Sequence, residues 1–370
     1  MAQGKRLLSI DTLRGLDMIF IMGLAPLVVA VCELFPDGGD SFLAMQMHHA
    51  TWNGLHHHDT IFPMFLFISG MTFPFSYDKQ VALGASRGKI YGKIVRRALV
   101  LAFLGMVYNG LFEFDFKDLR WASVLGRIGV AWMLAAILYI NVPSWKGRAW
   151  ISAAILVGYW LVVAFVRAPD VDPLSDPFSR DGCIVGYVDR ILLPGRLHNG
   201  NFDPEGILST LPAVVTAMMG MFTGEFIRIP EEKIPGGKKT LIMIGASVVL
   251  CLAGVLWGQF FPINKRLWSS SFTLVVGAFT LFCYAVVHYL VEVKGWTGWT
   301  MPFRVIGLNS ITIYMAQRIV PFESVSEFFF GGLAGMLPAA WGAVILAAGY
   351  LLLSWLFLYF LYRQKVFLKV

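Results

Sequence analysis

Residues 47–67, MHHATWNGLHHHDTIFPMFLF, join a cluster of polar side chains to a strongly apolar run. The polar half carries five histidines and Asp59. Imidazole is the side chain that most readily gives and takes protons near neutral pH. Because the apolar half is typical of a membrane-spanning helix, the stretch places proton-transfer groups at the mouth of a predicted span.

The composition of the whole chain indicates a membrane protein. Of its 370 residues, 57% are hydrophobic and 14% are charged, whereas soluble domains carry about 25% charged residues. The net charge of +7 fits Lys and Arg retained on a cytoplasmic face, so nucleic acid is not an expected partner. The predicted fold class is all-α: a polytopic helix bundle in the lipid bilayer, with residues 1–370 as a single domain.

Apolar runs predict about ten transmembrane helices, each near the ~20 residues that a span needs. They lie near residues 13–34, 59–77, 98–112, 122–141, 149–166, 207–227, 241–261, 270–291, 303–322 and 338–362. With the N-terminus inside, the inside segments hold more than twice as many Lys and Arg residues as the outside ones, counting Lys5, Arg6, Lys369 and a basic loop over 78–97. Both termini are therefore predicted to be cytoplasmic, with exterior loops at about 36–57 and 167–206.

Neither a disulfide framework nor a metal site is predicted. Of the four cysteines only Cys183 falls in a long loop, and no CxxC or CxxH spacing is present. The consecutive His56, His57 and His58 do not point to one centre on a regular element, which disfavours a zinc site.

His49 and Asp59 form the candidate catalytic pair. A general base needs a second group that holds its ring and tautomer, and a carboxylate suits that role. Ten residues separate the two, so the sequence allows this contact without requiring it. The alternative is that the histidines form a polar patch at the membrane interface, with Trp52 as an aromatic anchor.

Polar residues within predicted spans are the candidate cofactor contacts. Asp11 and Arg14 share one helix face, although both could simply mark the membrane surface. Arginine inside a membrane is costly and usually faces a polar cavity, which singles out Arg127. The GLNS segment adds Asn309 and Ser310. We therefore assign Arg14, Arg127, Asn309 and Ser310 to cofactor binding.

A second group of polar residues lies on the predicted exterior face. Two carboxylates precede the span at 207–227, where they either cap the helix or bind a sugar hydroxyl or amine. Asn and Lys in the segment FPINKRLW lie on the same face. Together these residues favour a polar pocket that opens outward. The candidate substrate contacts are Trp52, Asn53, Asp203, Glu205, Asn264 and Lys265.

Six motifs in order resemble one family across essentially the whole chain. They are SIDTLRG, HATWNGL with DTIFPMFLFISG, GYVDRILL, FDPEGIL, PINKRLW and GLNSITIY. In this pattern the chain resembles the transmembrane heparan-α-glucosaminide N-acetyltransferases and their bacterial relatives. No single motif is decisive, but six in the same order are specific.

The resemblance implies an activity and roles for residues. Members of this family take acetyl-CoA from the cytosolic side and acetylate the amine of a terminal glucosamine on the other side. His49, followed by Ala-Thr-Trp-Asn-Gly, falls on the family's catalytic histidine, and Asp59 falls on its aspartate before the IFP run. Two positions differ from the lysosomal members, which have Asn at Ala25 and His at Gln317. A second histidine acting with His49 is therefore not expected, and the acceptor need not be a heparan fragment.

The predicted function is an acetyltransferase of the bacterial inner membrane, which moves acetyl from cytosolic acetyl-CoA to an exterior amino sugar. The expected partners are the lipid bilayer, acetyl-CoA and the sugar acceptor, without a metal. A multi-pass transporter of a sugar or amphiphile is the competing class, because intramembrane charges would look much the same. A membrane acyltransferase with another acyl group is a third. The sequence leaves open a homodimer and an acetyl-histidine intermediate.

Overall fold

Helices provide the regular secondary structure of the described chain, so the prediction of an all-α fold is confirmed. The computed structural model describes residues 7–172 and 174–368. The first seven helices are α1 (Leu8–Ile19), α2 (Ala25–Cys32), α3 (Phe42–Gln46), α4 (His57–Ala82), α5 (Arg87–Tyr108), α6 (Val124–Asn141) and α7 (Trp145–Phe165). The others are α8 (Ile184–Leu192), α9 (Thr210–Ile227), α10 (Gly236–Trp257), α11 (Ser270–His288), α12 (Met301–Leu308), α13 (Ser310–Ile319), α14 (Phe322–Gly335) and α15 (Ala339–Arg363). Short π-helical turns at Phe20–Leu24 and Tyr289–Val293 and 3₁₀ turns at Gly38–Asp40 and Leu111–Glu113 complete the series.

Eight of the described helical segments are long and apolar enough to cross a membrane. They are Leu8–Cys32, His57–Ala82, Val124–Asn141, Trp145–Phe165, Thr210–Ile227, Gly236–Trp257, Ser270–Val293 and Ala339–Arg363. Each overlaps one predicted span, and together they define a multi-pass membrane protein. The total of about ten spans and the cytoplasmic termini stay predictions. Lys5, Arg6 and Lys369, which entered the charge count, lie outside the described residues.

The prediction of a basic loop over residues 78–97 is wrong. Helix α4 continues to Ala82 and α5 already begins at Arg87, so most of the basic residues lie on a helix. The hydroxyl of Ser86 accepts a hydrogen bond from the backbone N–H of Lys89 at 3.4 Å and caps this helix. Long cationic side chains can extend from a helix to a polar surface. A high density of Lys and Arg therefore does not require a loop.

The segment predicted as a span at 303–322 is a broken helix. Helix α12 ends at Leu308 and α13 begins at Ser310, because Asn309 adopts φ −124° and ψ 25°. The break turns the Asn309 side chain into a buried position between the two helices, where it is 2% exposed.

The described chain forms two compact units that alternate along the sequence. Unit 1 contains residues 7–50, 56–61 and 283–368, and unit 2 contains residues 51–55 and 62–282. The histidine-rich stretch contributes to both: His49 and Asp59 belong to unit 1, and Trp52 belongs to unit 2. The expectation of a single domain stays a prediction.

In unit 1, two of the sequence motifs meet where α1 packs against α12. A Cβ atom on Gly15 would lie 1.8 Å from the carbonyl oxygen of Phe303, and one on Gly307 would lie 2.0 Å from that of Asp11. Only glycine allows the backbones to approach this closely. The glycines of SIDTLRG and GLNS therefore fix the distance between these helices.

In unit 2, α4 and α9 approach through glycines in the same way. A Cβ atom on Gly70 would lie 2.0 Å from the carbonyl oxygen of Ala217, and one on Gly220 would lie 2.0 Å from that of Phe67.

The predicted exterior loop 167–206 contains α8 and packs on a buried cluster that includes Val185, Phe202 and Phe261. Unit 2 thus holds this loop in a defined conformation.

Candidate active site

His49 and Asp59 are in direct contact in unit 1. The Nδ1–H of His49 donates a hydrogen bond to Oδ1 of Asp59 at 2.8 Å. A carboxylate only accepts, so this contact selects the tautomer with the proton on Nδ1 and the lone pair on Nε2. The side chain of Asp59 is 1% exposed, whereas that of His49 is 47% exposed. The pair therefore presents a basic nitrogen on an imidazole that a ligand can reach.

The start of α4 holds Asp59 rigidly. Its Oδ2 accepts hydrogen bonds from the backbone N–H groups of Ala50 and His56, both at 3.1 Å. The bond to His56 is the returning half of a capping box, in which an acidic side chain bonds the N–H of the residue that caps its own helix. The helix N-terminus also favours the negative charge. One carboxylate thus caps α4, fixes the preceding loop and orients His49.

The other histidines of the stretch have supporting positions. Nδ1 of His56 donates to the carbonyl oxygen of His48 at 3.0 Å. The ring of His57 packs on Phe20 with a centroid distance of 4.3 Å. The ring of His58 makes an edge contact with His49 at 4.6 Å. The described part of the chain contains no group of three or more His, Cys, Asp or Glu side chains that could hold a metal ion.

Three of the predicted cofactor residues lie in unit 1, at the junction of α1 with α12 and α13. Nη1 of Arg14 donates to Oδ1 of Asp11 at 3.3 Å and to the carbonyl oxygen of Gly307 at 3.4 Å. The hydroxyl of Ser310 donates to the same carbonyl oxygen at 3.4 Å. Nδ2 of Asn309 has no hydrogen-bond partner among the described residues. Buried amides are normally paired, so this one is a candidate ligand contact.

Gln317, where the lysosomal members have histidine, has a structural role in unit 1. Its Nε2 donates to the carbonyl oxygen of Ile21, within the π-helical turn of the first span, and to the hydroxyl of Tyr350 at 2.7 Å. The side chain therefore links that turn to α15. The expectation that His49 acts without a second histidine stays a prediction.

The predicted substrate residues Trp52, Asn53 and Asn264 form one hydrogen-bonded group in unit 2. Nε1 of Trp52 donates to the carbonyl oxygen of Phe178 at 2.8 Å, so this indole lies within the folded loops. Nδ2 of Asn264 donates to Oδ1 of Asn53 at 3.0 Å. Asn264 is fully buried, while Asn53 is exposed. Asn264 therefore positions Asn53, and Asn53 is the member that a ligand can reach.

Lys265 follows Asn264 in the same loop of unit 2 and is half-buried. Its carbonyl oxygen accepts a hydrogen bond from the backbone N–H of Trp268 at 3.0 Å. This bond and the buried Asn264 fix the backbone that carries the ammonium group.

Arg120 unites the two predicted carboxylates, and sequence reasoning missed it. Its Nε and Nη2 donate to Asp203 at 2.8 and 2.6 Å, and Nη2 also contacts Glu205. Burial by itself would raise the pKa of Asp203, but the hydrogen bonds and charge of Arg120 outweigh it and hold that pKa below its ordinary value. The pairing spans 83 positions, so spacing in the sequence contains no signal for it.

Arg127 and Asp189 contact opposite sides of the segment after Glu205. Nη2 of Arg127 donates to the carbonyl oxygen of Gly206 at 3.1 Å and to the hydroxyl of Ser209. Oδ1 of Asp189 accepts from the backbone N–H of Ile207 at 2.9 Å. Burial raises the pKa of Asp189 to about 7. Nε and Nη1 of Arg127 have no hydrogen-bond partner in the described chain, which leaves two buried donors for a ligand.

The predicted site residues divide between the two units. Unit 1 contains His49 and Asp59, the predicted catalytic pair, and the predicted cofactor contacts Arg14, Asn309 and Ser310. Unit 2 contains the six predicted substrate residues and Arg127.

The fold and the site define a class of protein: a multi-pass helical membrane protein with a histidine–aspartate pair at the start of a span. No protein-family model matches the chain. The chain is similar to human heparan-alpha-glucosaminide N-acetyltransferase, with 27% identity over an alignment of 423 positions that covers 99% of this chain and 60% of that protein. The mouse protein of the same name is 27% identical over an alignment of 383 positions, which covers 87% of this chain and 55% of that protein.

The predicted resemblance is therefore confirmed, because the chain is similar to two N-acetyltransferases of this name over most of its length. It spans less than two thirds of the length of either curated relative.

Proposed function

We propose that this protein is a membrane acetyltransferase that moves acetyl from acetyl-CoA on the cytosolic side to the amine of a glucosamine-type sugar on the exterior side. The observation that carries the proposal is the His49–Asp59 hydrogen bond of 2.8 Å, with a base that is accessible and a carboxylate that is buried. Similarity to N-acetyltransferases over nearly the whole chain supports it.

The proposed step is a direct acyl transfer. The lone pair of the sugar amine attacks the carbonyl carbon of the thioester, and a new N–C bond forms. Nε2 of His49 takes the proton that the nitrogen loses, while Asp59 stabilises the resulting imidazolium. The C–S bond breaks, and the thiolate receives that proton from His49. The products are the N-acetyl sugar and the CoA thiol.

Other residues bind or position in this proposal. Asn53 and Asn309 are the candidate donors for the negative charge that develops on the acetyl oxygen. Trp52, Glu205 and Lys265 contact the acceptor, while Arg120 positions Glu205. Asp203 and Asn264 are buried and position their neighbours. Arg14, Arg127 and Ser310 contact the cofactor. A bilayer core of about 30 Å makes a protein route necessary, because the charged CoA cannot cross it.

The test is transfer of labelled acetyl from acetyl-CoA to glucosamine by the purified protein. His49→Ala removes the base and should lower turnover at least ~10²-fold. Asp59→Asn should cause a loss of similar size, because an amide can favour the tautomer with the proton on Nε2. Both variants should still bind acetyl-CoA. The matched control is His57→Ala, which removes a neighbouring histidine and should cost much less.

Three outcomes contradict the proposal in different ways. Near-normal turnover in His49→Ala with an inactive His57→Ala would place the base at the other histidine. Activity in all three variants would exclude the histidine loop from catalysis. Wild-type protein that is folded but neither binds acetyl-CoA nor transfers acetyl would favour a transporter.

A further inference from the structure

Unit 1 contains a cavity that the catalytic pair does not use. It has a volume of about 460 Å³ and lies among the first turn of α1, helix α12 and the end of α15. Its lining includes Asp11, Arg304, Tyr362, Arg363, Lys365 and Phe367. Asp11 lies at the beginning of the first span, whereas the loop with His49 follows the end of that span. In the predicted topology this cavity therefore belongs to the cytoplasmic side.

The charge of the cavity is strongly positive. Three cations line it, and its one acidic side chain, Asp11, already pairs with Arg14 at 3.3 Å. Arg304, Arg363 and Lys365 form no ion pair with any residue that the structure describes. A concave site lined by cations concentrates anions. Guanidinium groups match phosphate oxygens in particular, because they can donate two parallel hydrogen bonds.

Lys365 has a left-handed backbone conformation that glycine normally adopts. Helix α15 ends in a Schellman motif: the N–H of Val366 donates to the carbonyl oxygen of Leu361 at 2.9 Å, and that of Lys365 donates to Tyr362 at 3.1 Å. The motif requires a left-handed residue, and Lys365 has φ 57°. A lysine is disfavoured in this conformation. Its presence places an ammonium group at the cavity at a cost that glycine would avoid, which points to a function for the side chain.

Two aromatic rings complete the site. Tyr362 and Phe367 line the cavity with their ring centroids 6.3 Å apart and their planes at 76°. Aromatic side chains provide faces on which a purine base can stack. Several phosphate-binding cations beside aromatic rings are the chemistry that recognises a phosphorylated purine nucleotide.

We propose that this cavity binds the 3′-phosphorylated adenosine diphosphate end of CoA. Arg304, Arg363 and Lys365 contact the phosphates, and Tyr362 and Phe367 contact the adenine. This inference rests on the proposed function, because it names the site where the acetyl donor is held.

The experiment measures binding of CoA, dephospho-CoA and adenosine 3′,5′-bisphosphate to the purified full-length chain in neutral detergent. Lys365→Gly removes the cation while giving the helix its preferred terminal residue, so the melting temperature should not fall. Affinity for CoA and for the bisphosphate should fall at least ~5-fold, within the range of a lost charge-assisted contact. Lys365→Arg should retain most of the affinity. Lys233→Gln removes an exposed lysine elsewhere and should bind CoA like the wild type.

The outcomes separate this site from the proposed function. If wild-type protein transfers acetyl while Lys365→Gly and Arg304→Gln both bind CoA normally, the cavity is not the nucleotide site and the function stands. If wild-type protein binds no CoA, the proposed function fails as well. An anionic lipid headgroup offers the same phosphate chemistry. Retention of phosphatidylglycerol that Lys365→Gly abolishes, with CoA affinity unchanged, would assign the cavity to lipid and overturn the proposal.

Discussion

At the scale of single residues, two buried aspartates have pKa values that are shifted in opposite directions. Asp203 has Arg120 as a partner, and its pKa lies below the ordinary value despite burial. Asp189 is equally buried, but its Oδ2 has no hydrogen-bond partner among the described residues, and its pKa is about 7. A buried carboxylate with an ion-pair partner thus keeps its charge in the folded state, and one without an ion-pair partner keeps its proton to a higher pH.

The raised pKa of Asp189 predicts a loss of stability with rising pH. The folded state keeps a proton that the unfolded chain releases near pH 4, so this contribution is full below that pH, declines up to about pH 7 and is constant above. From pH 5 to 8 the decline should be on the order of 2 kcal/mol. Melting curves at both pH values should show the wild type losing a few degrees relative to Asp189→Asn. A difference between the two proteins that does not change with pH contradicts this.

At the scale of elements, the segment between α8 and α9 depends on cations brought by α6 and the loop before it. Arg127 bonds the carbonyl oxygen of Gly206, and Arg120 bonds the carboxylates of Asp203 and Glu205. Backbone N–H groups of His198 and Glu205 complete the contacts of Asp203. The predicted substrate segment is therefore held by side chains that are distant in the sequence.

Removal of Arg120 should destabilise the protein severely. Arg120→Ala leaves the fully buried charge of Asp203 uncompensated, and breaking a buried pair in this way costs about 3–5 kcal/mol. Arg196→Ala is the matched control, because it breaks an exposed pair with Asp118 at 3.7 Å and should cost about 0–1 kcal/mol. Thermal unfolding in detergent measures both. Equal melting temperatures for the two variants would refute the structural role of Arg120.

At the scale of the whole molecule, the predicted orientation can be tested by cysteine accessibility. Starting from protein without its four native cysteines, Ser41→Cys lies in the histidine loop and Ser86→Cys lies at the cap of α5. A membrane-impermeant maleimide added to intact cells should label the cysteine at 41 and not the one at 86, because the excess of Lys and Arg places the second site inside. Labelling at 86 but not at 41 would reverse the topology.

Sequence reasoning succeeded where the signal is local. Apolar runs predicted the eight candidate spans, and the ten positions between His49 and Asp59 allowed the contact that the structure shows. It failed at α5, because its basic residues were interpreted as a loop. It also could not predict the partner of Asp203 or the cavity around Lys365. Both depend on segments brought together by the tertiary fold, and residue spacing does not encode such contacts.

The alternation of the two units along the chain has a consequence for biosynthesis. Unit 1 combines residues 7–50 and 56–61 with residues 283–368, so the proposed catalytic histidine, His49, is made early and its unit is completed late. At about 5–20 residues per second, the ribosome needs on the order of ten to forty seconds to reach the closing segment. During that time the loop with His49 has been synthesised while the rest of its unit is still missing. This interval is when membrane-insertion factors and chaperones would have access to it.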